Sequence, residues 1–205
     1  MVKENRIWAD ATRESPRGVD NLPKHLHIEP EGRRGKSSEK HLTEQQQIDP
    51  VIYRNGMARY AGHVQVVTTV LGGARRGVTV TAACSVSDDP PSLLVCLNST
   101  NVNNEIFLTS GVFALNSLAR HHQSLAYRFA GLSGVEPEER FALGEWQTLA
   151  TGSPVLSDAV VSFDCRVTDI RPASTHFVMF GEVVAMHFGP ANPALIYLDR
   201  GFRTL

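Results

Sequence analysis

From His63 to Leu71 the chain alternates in period two, so that Val64, Val66, Thr68 and Val70 fall on one face, and Gly72-Gly73 follows at once. That pattern demands a strand and a tight hairpin turn, with Val78 to Cys84 as the returning strand. Asp88-Asp89-Pro90-Pro91 then breaks the chain before a third strand, Ser92 to Leu97, and further strands are expected over Val112 to Leu118, Ala159 to Arg171, His176 to Phe188 and Ala194 to Asp199. Helical signals lie between them. Asp49-Pro50 caps and opens an amphipathic helix carrying Val51, Ile52, Tyr53, Met57 and Tyr60 toward Gly62. A short helix near Asn103 to Thr109 is stopped by Gly111, a second from about His121 to Ala130 ends at Gly131, and Glu136 to Phe141 has helical character. Six or seven sequential strands with helices only as lids predict a mainly β fold with flanking helices, closed as an antiparallel barrel. A doubly wound sheet would need regular strand–helix alternation and a glycine-rich turn, and neither GxGxxG nor GxxxxGK[ST] occurs.

With 205 residues, 42% of them hydrophobic, the chain suits one domain with one sizeable core plus an extension. Residues 1–43 are rich in charge, proline and glycine and lack either period; they are expected to be a disordered tail, leaving residues 44–205 as the domain. Arg33, Arg34 and Lys36 offer a basic partner-binding arm there, weakened by interspersed acids. Lysine plus arginine number 20 against 21 acidic residues, so no strong field recruits nucleic acid or an anionic membrane, and a small-molecule partner is expected. Cys84, Cys96 and Cys165 sit far apart in apolar runs without CxxC spacing and read as reduced core thiols. No apolar run approaches a membrane span and no signal-peptide pattern opens the chain, so cytoplasmic residence is expected. His121 and His122, adjacent on a helix, should point apart, and no metal ligand is expected.

The segment Arg76 to Ser87 interleaves hydroxyl-bearing and small residues as a strand runs into a proline-ended loop. A flavin needs a flat apolar slot for its ring, donors for its pyrimidine edge, and N–H or O–H groups around a phosphate, and this stretch offers all three. Plain β-propensity explains the same threonines and valines, and composition alone favours that reading. Likewise His176, taken by itself, is an ordinary polar residue in a strand.

Order of motifs changes the balance. The run Gly77-Val-Thr-Val-Thr-Ala-Ala-Cys-Ser-Val-Ser-Asp-Asp-Pro-Pro-Ser-Leu-Leu-Val-Cys-Leu-Asn98 resembles the FMN-binding core of the short-chain flavin reductases. Arg54-Asn-Gly-Met, Val66-Val-Thr-Thr69, Phe113-Ala-Leu-Asn116, Phe129-Ala-Gly131, Glu139-Arg-Phe141 and Thr175-His176 before Gly181-Glu182 extend the likeness in order. The resemblance implies a split β-barrel of Greek-key type, a homodimer around two flavin sites, and hydride transfer from NADH or NADPH to bound FMN or FAD. It places Thr79, Thr81, Ala82 and Ala83 along the isoalloxazine ring, and Ser85 and Asn98 at the ring edge, ribityl chain or phosphate. Asn101 stands where the family usually has serine; with Asn104 it belongs to the phosphate loop. Tyr197 and Phe202 fall in a tail near the cofactor, and His176 matches a histidine that positions the nicotinamide. The implied partner is a monooxygenase component that takes reduced flavin. A second branch, the cob(II)yrinic acid a,c-diamide reductases of cobalamin biosynthesis, is resembled by Tyr60-Ala-Gly-His-Val-Gln-Val-Val-Thr-Thr69, Ala82-Ala-Cys-Ser-Val-Ser87 and Asp199-Arg-Gly-Phe-Arg203 and would make a corrinoid the electron acceptor. A reading from another class is a flavin- or haem-binding module without turnover.

Overall fold

The computed structural model describes residues 47–205, and the tail expected over residues 1–43 lies outside the described residues. Helix α1 spans Pro50–Ala58; Asp49 caps it by accepting from the Val51 N–H at 2.6 Å, and proline stands at its first turn as expected. None of its residues is buried.

Strand β2 (Gln65–Leu71) pairs antiparallel with β3 (Ala74–Val80) across Gly72 and Gly73, whose φ values of 58° and 86° give the left-handed two-residue turn the hairpin needs. The returning strand does not run unbroken to Cys84: it stops at Val80, and after Thr81-Ala82 the chain restarts as β4 (Ala83–Asp88). The strands β5 (Pro91–Asn98), β6 (Val112–Ser117), β9 (Val161–Ala173) and β10 (His176–Phe188) complete an antiparallel seven-stranded sheet in the order β3-β2-β6-β9-β10-β5-β4. Thus β3 and β4 are its opposite edges, yet only Thr81 and Ala82 separate them in sequence. Three Cα steps reach at most about 11 Å, so the sheet must roll until its edges meet. That corner closes the split barrel expected from the sequence, and its non-sequential neighbours, β2 beside β6 and β5 beside β10, give it Greek-key character.

Alternation in β2 is only apparent: Val66, Val67, Thr68 and Thr69 are all fully buried. Val67 packs inside the barrel with Val95, Phe107, Phe113 and Met179, whereas Val66 faces an outer cluster with Phe129, Leu156 and Leu195. The two threonine hydroxyls are satisfied by carbonyls, Thr68 on Pro154 and Thr69 on Val112. The outer layer comprises α3 (Gln123–Phe129), a hairpin of β7 (Trp146–Thr148) and β8 (Pro154–Leu156), and a small sheet in the order β1-β11-β12, formed by β1 (Gly62–His63), β11 (Leu195–Leu198) and β12 (Gly201–Thr204). Three of these strands, β7, β8 and β12, are too short for a clear period and were not expected. A short α2 (Glu105–Ser110) ends at Gly111 with φ 70°, as its sequence signal implied. Among the described residues no helix is long and apolar enough to cross a membrane.

Candidate functional site

The chain that crosses from one barrel edge to the other carries Thr79, Thr81, Ala82, Ala83 and Ser85 of the expected site residues, but they meet different surroundings. Thr79 and Thr81 line a narrow crevice with Ala126 and Tyr127 of α3 and with Tyr197 and Phe202 of the small sheet. Phe202 meets Tyr127 edge-on at 4.9 Å and Tyr197 at 5.7 Å between ring centroids, so three aromatic rings wall one side. Burial pushes the Tyr197 phenol up, with the Arg200 guanidinium opposing. Thr79 is buried, and its hydroxyl donates to the Ala126 carbonyl at 2.8 Å; that hydrogen fastens α3 to the barrel. It is not free for a ligand.

Ala83 and Ser85 open instead onto a cavity of about 240 Å³ that they share with Gln65, Asp88, Phe163 and Met186 and that borders the barrel core at Leu93 and Leu115. A pocket that swallows a drug-sized ligand needs roughly 300–1,000 Å³. A three-ring flavin therefore has no closed cavity here, and the seam from Thr81 to Ser85 is open, with backbone groups and a serine hydroxyl beside apolar walls.

A third group gathers at the strand ends. Asn98 of β5 and His176 of β10 are register partners, and the Cys96 N–H donates to the Ala82 carbonyl at 2.9 Å, so the starts of β4 and β10 flank the end of β5. The Ser99 N–H reaches the Thr175 carbonyl at 3.0 Å and extends that pairing into the loop. His176 is half-buried, with Nδ1 at 2.9 Å from the Thr175 hydroxyl. Asn98 Oδ1 accepts from both the N–H and the hydroxyl of Thr100 at 2.8 Å each, and Asn101 Oδ1 accepts from the Asn103 N–H at 3.0 Å. Both side chains still own an amide NH₂ that can donate. Asn104 cannot be grouped with them: it is buried, and its amide donates to the Asn98 carbonyl at 2.9 Å, an internal strut of the loop. The sequence thus brings Ala82, Asn98, Asn101 and His176 to one end of the barrel, while Thr79 and Asn104 hold the walls. Gln65, Asp88 and Tyr127 escaped the sequence reading; Gln65 signals itself only as a lone amide in an apolar strand, and Tyr127 only as a polar-tipped ring on α3.

The expectation that His121 and His122 diverge is corrected. They sit on a 3-10 turn (Arg120–His122), and their Nε2 atoms lie 2.9 and 3.0 Å from the two oxygens of Asp158. This is nonetheless a poor metal cage. His122 Nδ1 accepts the Ala119 N–H at 3.1 Å, which leaves the neutral ring's proton on Nε2 and no lone pair there for an ion. The cysteines differ from one another: Cys165 is buried, Cys96 half-buried, and Cys84, contrary to expectation, exposed.

The flavin reductase like domain family matches residues 57–205. The chain belongs to that family. It is 44% identical over 167 residues to FMN reductase (NADH) RutF of Agrobacterium fabrum, covering 82% of this chain and 93% of that one. It is 46% identical over 153 residues to FMN reductase (NADH) RutF of Pantoea ananatis, covering 75% of this chain and 80% of its relative. Among solved structures, BorF, the flavin reductase component of a bacterial two-component tryptophan halogenase, superposes with a TM-score of 0.71 at 28% identity, covering 77% of this chain and 98% of BorF. The NADH:FAD oxidoreductase SgcE6 of Streptomyces globisporus C-1027 gives 0.69 at 26% identity, covering 77% and 95%. In this flavin reductase family member the matched region takes in the entire barrel and every site residue expected from the sequence.

Proposed function

We propose that this chain is an NADH-dependent flavin reductase that binds FMN, or FAD, along the seam from Thr81 to Ser85 and passes reduced flavin to a partner monooxygenase. The observation that carries the reading is the open segment from Thr81 to Ser85 running beside β5, whose end at Asn98 pairs with His176 and leads into the Asn101 turn. Bound flavin supplies the two-electron acceptor for hydride, so the side chains have no proton to abstract from carbon. Their work is orientation: backbone groups near Ala82 and the Asn98 and Asn101 amides hold the cofactor edge, while His176 donates to the nicotinamide carboxamide and keeps the two rings stacked. A seam that is open rather than enclosed suits a flavin that leaves after reduction. The names of the relatives favour this reading over transfer to a corrinoid.

A homodimer is part of the proposal. Ile48, Val51, Ile52 and Tyr53 around α1 are each at least half exposed in the single chain, and Phe188 at the end of β10 is 73% exposed. A second copy would cover such apolar surface.

The test is NADH oxidation with added FMN, compared with His176→Ala. One hydrogen bond is worth about 0.5–1.5 kcal/mol, so kcat/KM for NADH should fall roughly 2- to 12-fold with FMN affinity unchanged. Equal loss of FMN binding would remove His176 from the nicotinamide side, and absence of flavin-dependent oxidation in the native chain would overturn the proposal.

A further inference from the structure

The turn at Ala119 is where the chain leaves the large sheet and meets the small one. Leu118 donates its N–H to Val64 and accepts from Leu195 at 2.9 Å, Ala119 forms a bridge with Ala194, and the Arg120 N–H donates to Pro193 at 2.8 Å. His122 holds this turn from inside. Its side chain is 6% exposed, its Nδ1 takes the Ala119 N–H, and its Nε2 faces Asp158 of the β8–β9 turn. The Asp158 oxygen lies off the line of the ring N–H, so Nε2 stands close to a carboxylate without a well-aligned hydrogen bond. The charged and titratable groups acting on the ring are Asp158, from the turn packed against it, and His121, from its own turn. His187 of β10 fastens the other side of that turn, with Nε2 at 2.8 Å from the Ser157 carbonyl.

We infer that His122 is a proton-operated latch between the two sheets, closed when its ring is neutral and opened by acid. The reason is the number of donors. A second proton must go to Nδ1, where it would face the Ala119 N–H with both groups buried, so the protonated ring can stay only if the turn gives way. Burial already disfavours the charged ring, against the pull of Asp158. Opening the turn releases β11 and β12, which carry Tyr197 and Phe202 of the crevice. Acid should therefore loosen the flavin site, a consequence that rests on the proposed function, whereas the latch itself does not.

The full-length chain is followed by hydrogen exchange and by FMN titration between pH 7.5 and 4.5, together with His122→Gln and His121→Gln. Glutamine reproduces the neutral ring's acceptor and donor but does not titrate. In the native chain, opening over residues 118–122 and 193–198, read as exchange relative to the intrinsic amide rate at each pH, should rise by up to about tenfold per pH unit below the ordinary histidine value, in step with the His122 ring-proton NMR shift. His121→Gln should keep that rise, and His122→Gln should abolish it. An unchanged rise in His122→Gln, or a native chain whose exchange there ignores His122 titration, would overturn the latch. If the segments loosen while FMN affinity stays constant, the latch stands and the placement of flavin beside Tyr197 and Phe202 fails.

Discussion

Gly77 lies in β3 where α3 packs closest, and its replacement by alanine tests how that contact is built. A Cβ there would sit 2.5 and 2.6 Å from Cε1 and Cδ1 of Phe129 and 3.4 Å from the Phe141 ring. Carbon atoms rest at about 3.5–4.0 Å, so Phe129 must retreat by about 1 Å. It has nowhere easy to go: it is fully buried and stacks edge-on against Phe141 at 5.0 Å and Trp146 at 5.5 Å. Overpacking of this kind costs about 1–3 kcal/mol, offset by roughly 0.5–1 kcal/mol because alanine loses less backbone freedom than glycine on folding. The net is a loss of up to about 2.5 kcal/mol, or up to about 10 °C in Tm for a domain of this size. Urea unfolding, read by Trp146 fluorescence in a Trp8→Phe background, measures it. Gly77→Ala combined with Phe129→Leu should cost less than the sum of the separate changes, because the smaller side chain makes room for the methyl. Higher stability of Gly77→Ala, or strict additivity of the pair, would refute the close contact with Phe129.

Asn104→Ala should weaken FMN binding by roughly 3- to 30-fold with kcat for bound flavin little changed, because it frees the Asn98 carbonyl and slackens the loop rather than removing a ligand; isothermal titration separates the two. In the native chain at pH 8, a disulfide reagent should label Cys84 quickly and Cys165 only after unfolding, since burial and Asp164 push the Cys165 thiol up to about 12; rapid modification of Cys165 in the folded state would contradict its placement. Stability should fall as pH drops below about 6.5, the ordinary histidine value, because His122 is held below that value in the fold and the unfolded chain binds the proton first. Asp158, lowered by its two histidine neighbours against the opposing effect of burial, contributes stability that is lost only at lower pH still, as its own folded-state value is passed; urea midpoints from pH 8 to 4 check both signs.

Strands announced by turn chemistry were legible in the sequence. Gly72-Gly73 marked the β2–β3 hairpin, and β10 begins at His176 and ends at Phe188, as its pattern indicated. The break at Thr81-Ala82 was not legible, because Val78 to Cys84 reads as one uninterrupted run; only pairing with distant partners, β2 on one side and β5 on the other, ends one strand and starts the next. Burial of β2 on both faces was hidden for a similar reason, since threonines at 68 and 69 look like exposed positions until the carbonyls that satisfy them are known. At the candidate site, residue types singled out a stretch of chain but not the duty of each group in the fold. Thr79 and Asn104 carry the donors a cofactor would want, and tertiary structure uses both to hold the walls. His121 and His122 converge on one carboxylate because they lie on a tight 3-10 turn, a geometry that adjacency along a regular helix does not suggest.

The seam itself is best interrogated by titrating isotopically labelled protein with FMN and following backbone amide shifts. Changes concentrated at residues 81–85 and 98–101, with smaller ones at His176 until a nicotinamide is added, are the expected result. Shifts confined to some other surface, with the corner between the barrel edges silent at saturating FMN, would contradict a flavin bound there.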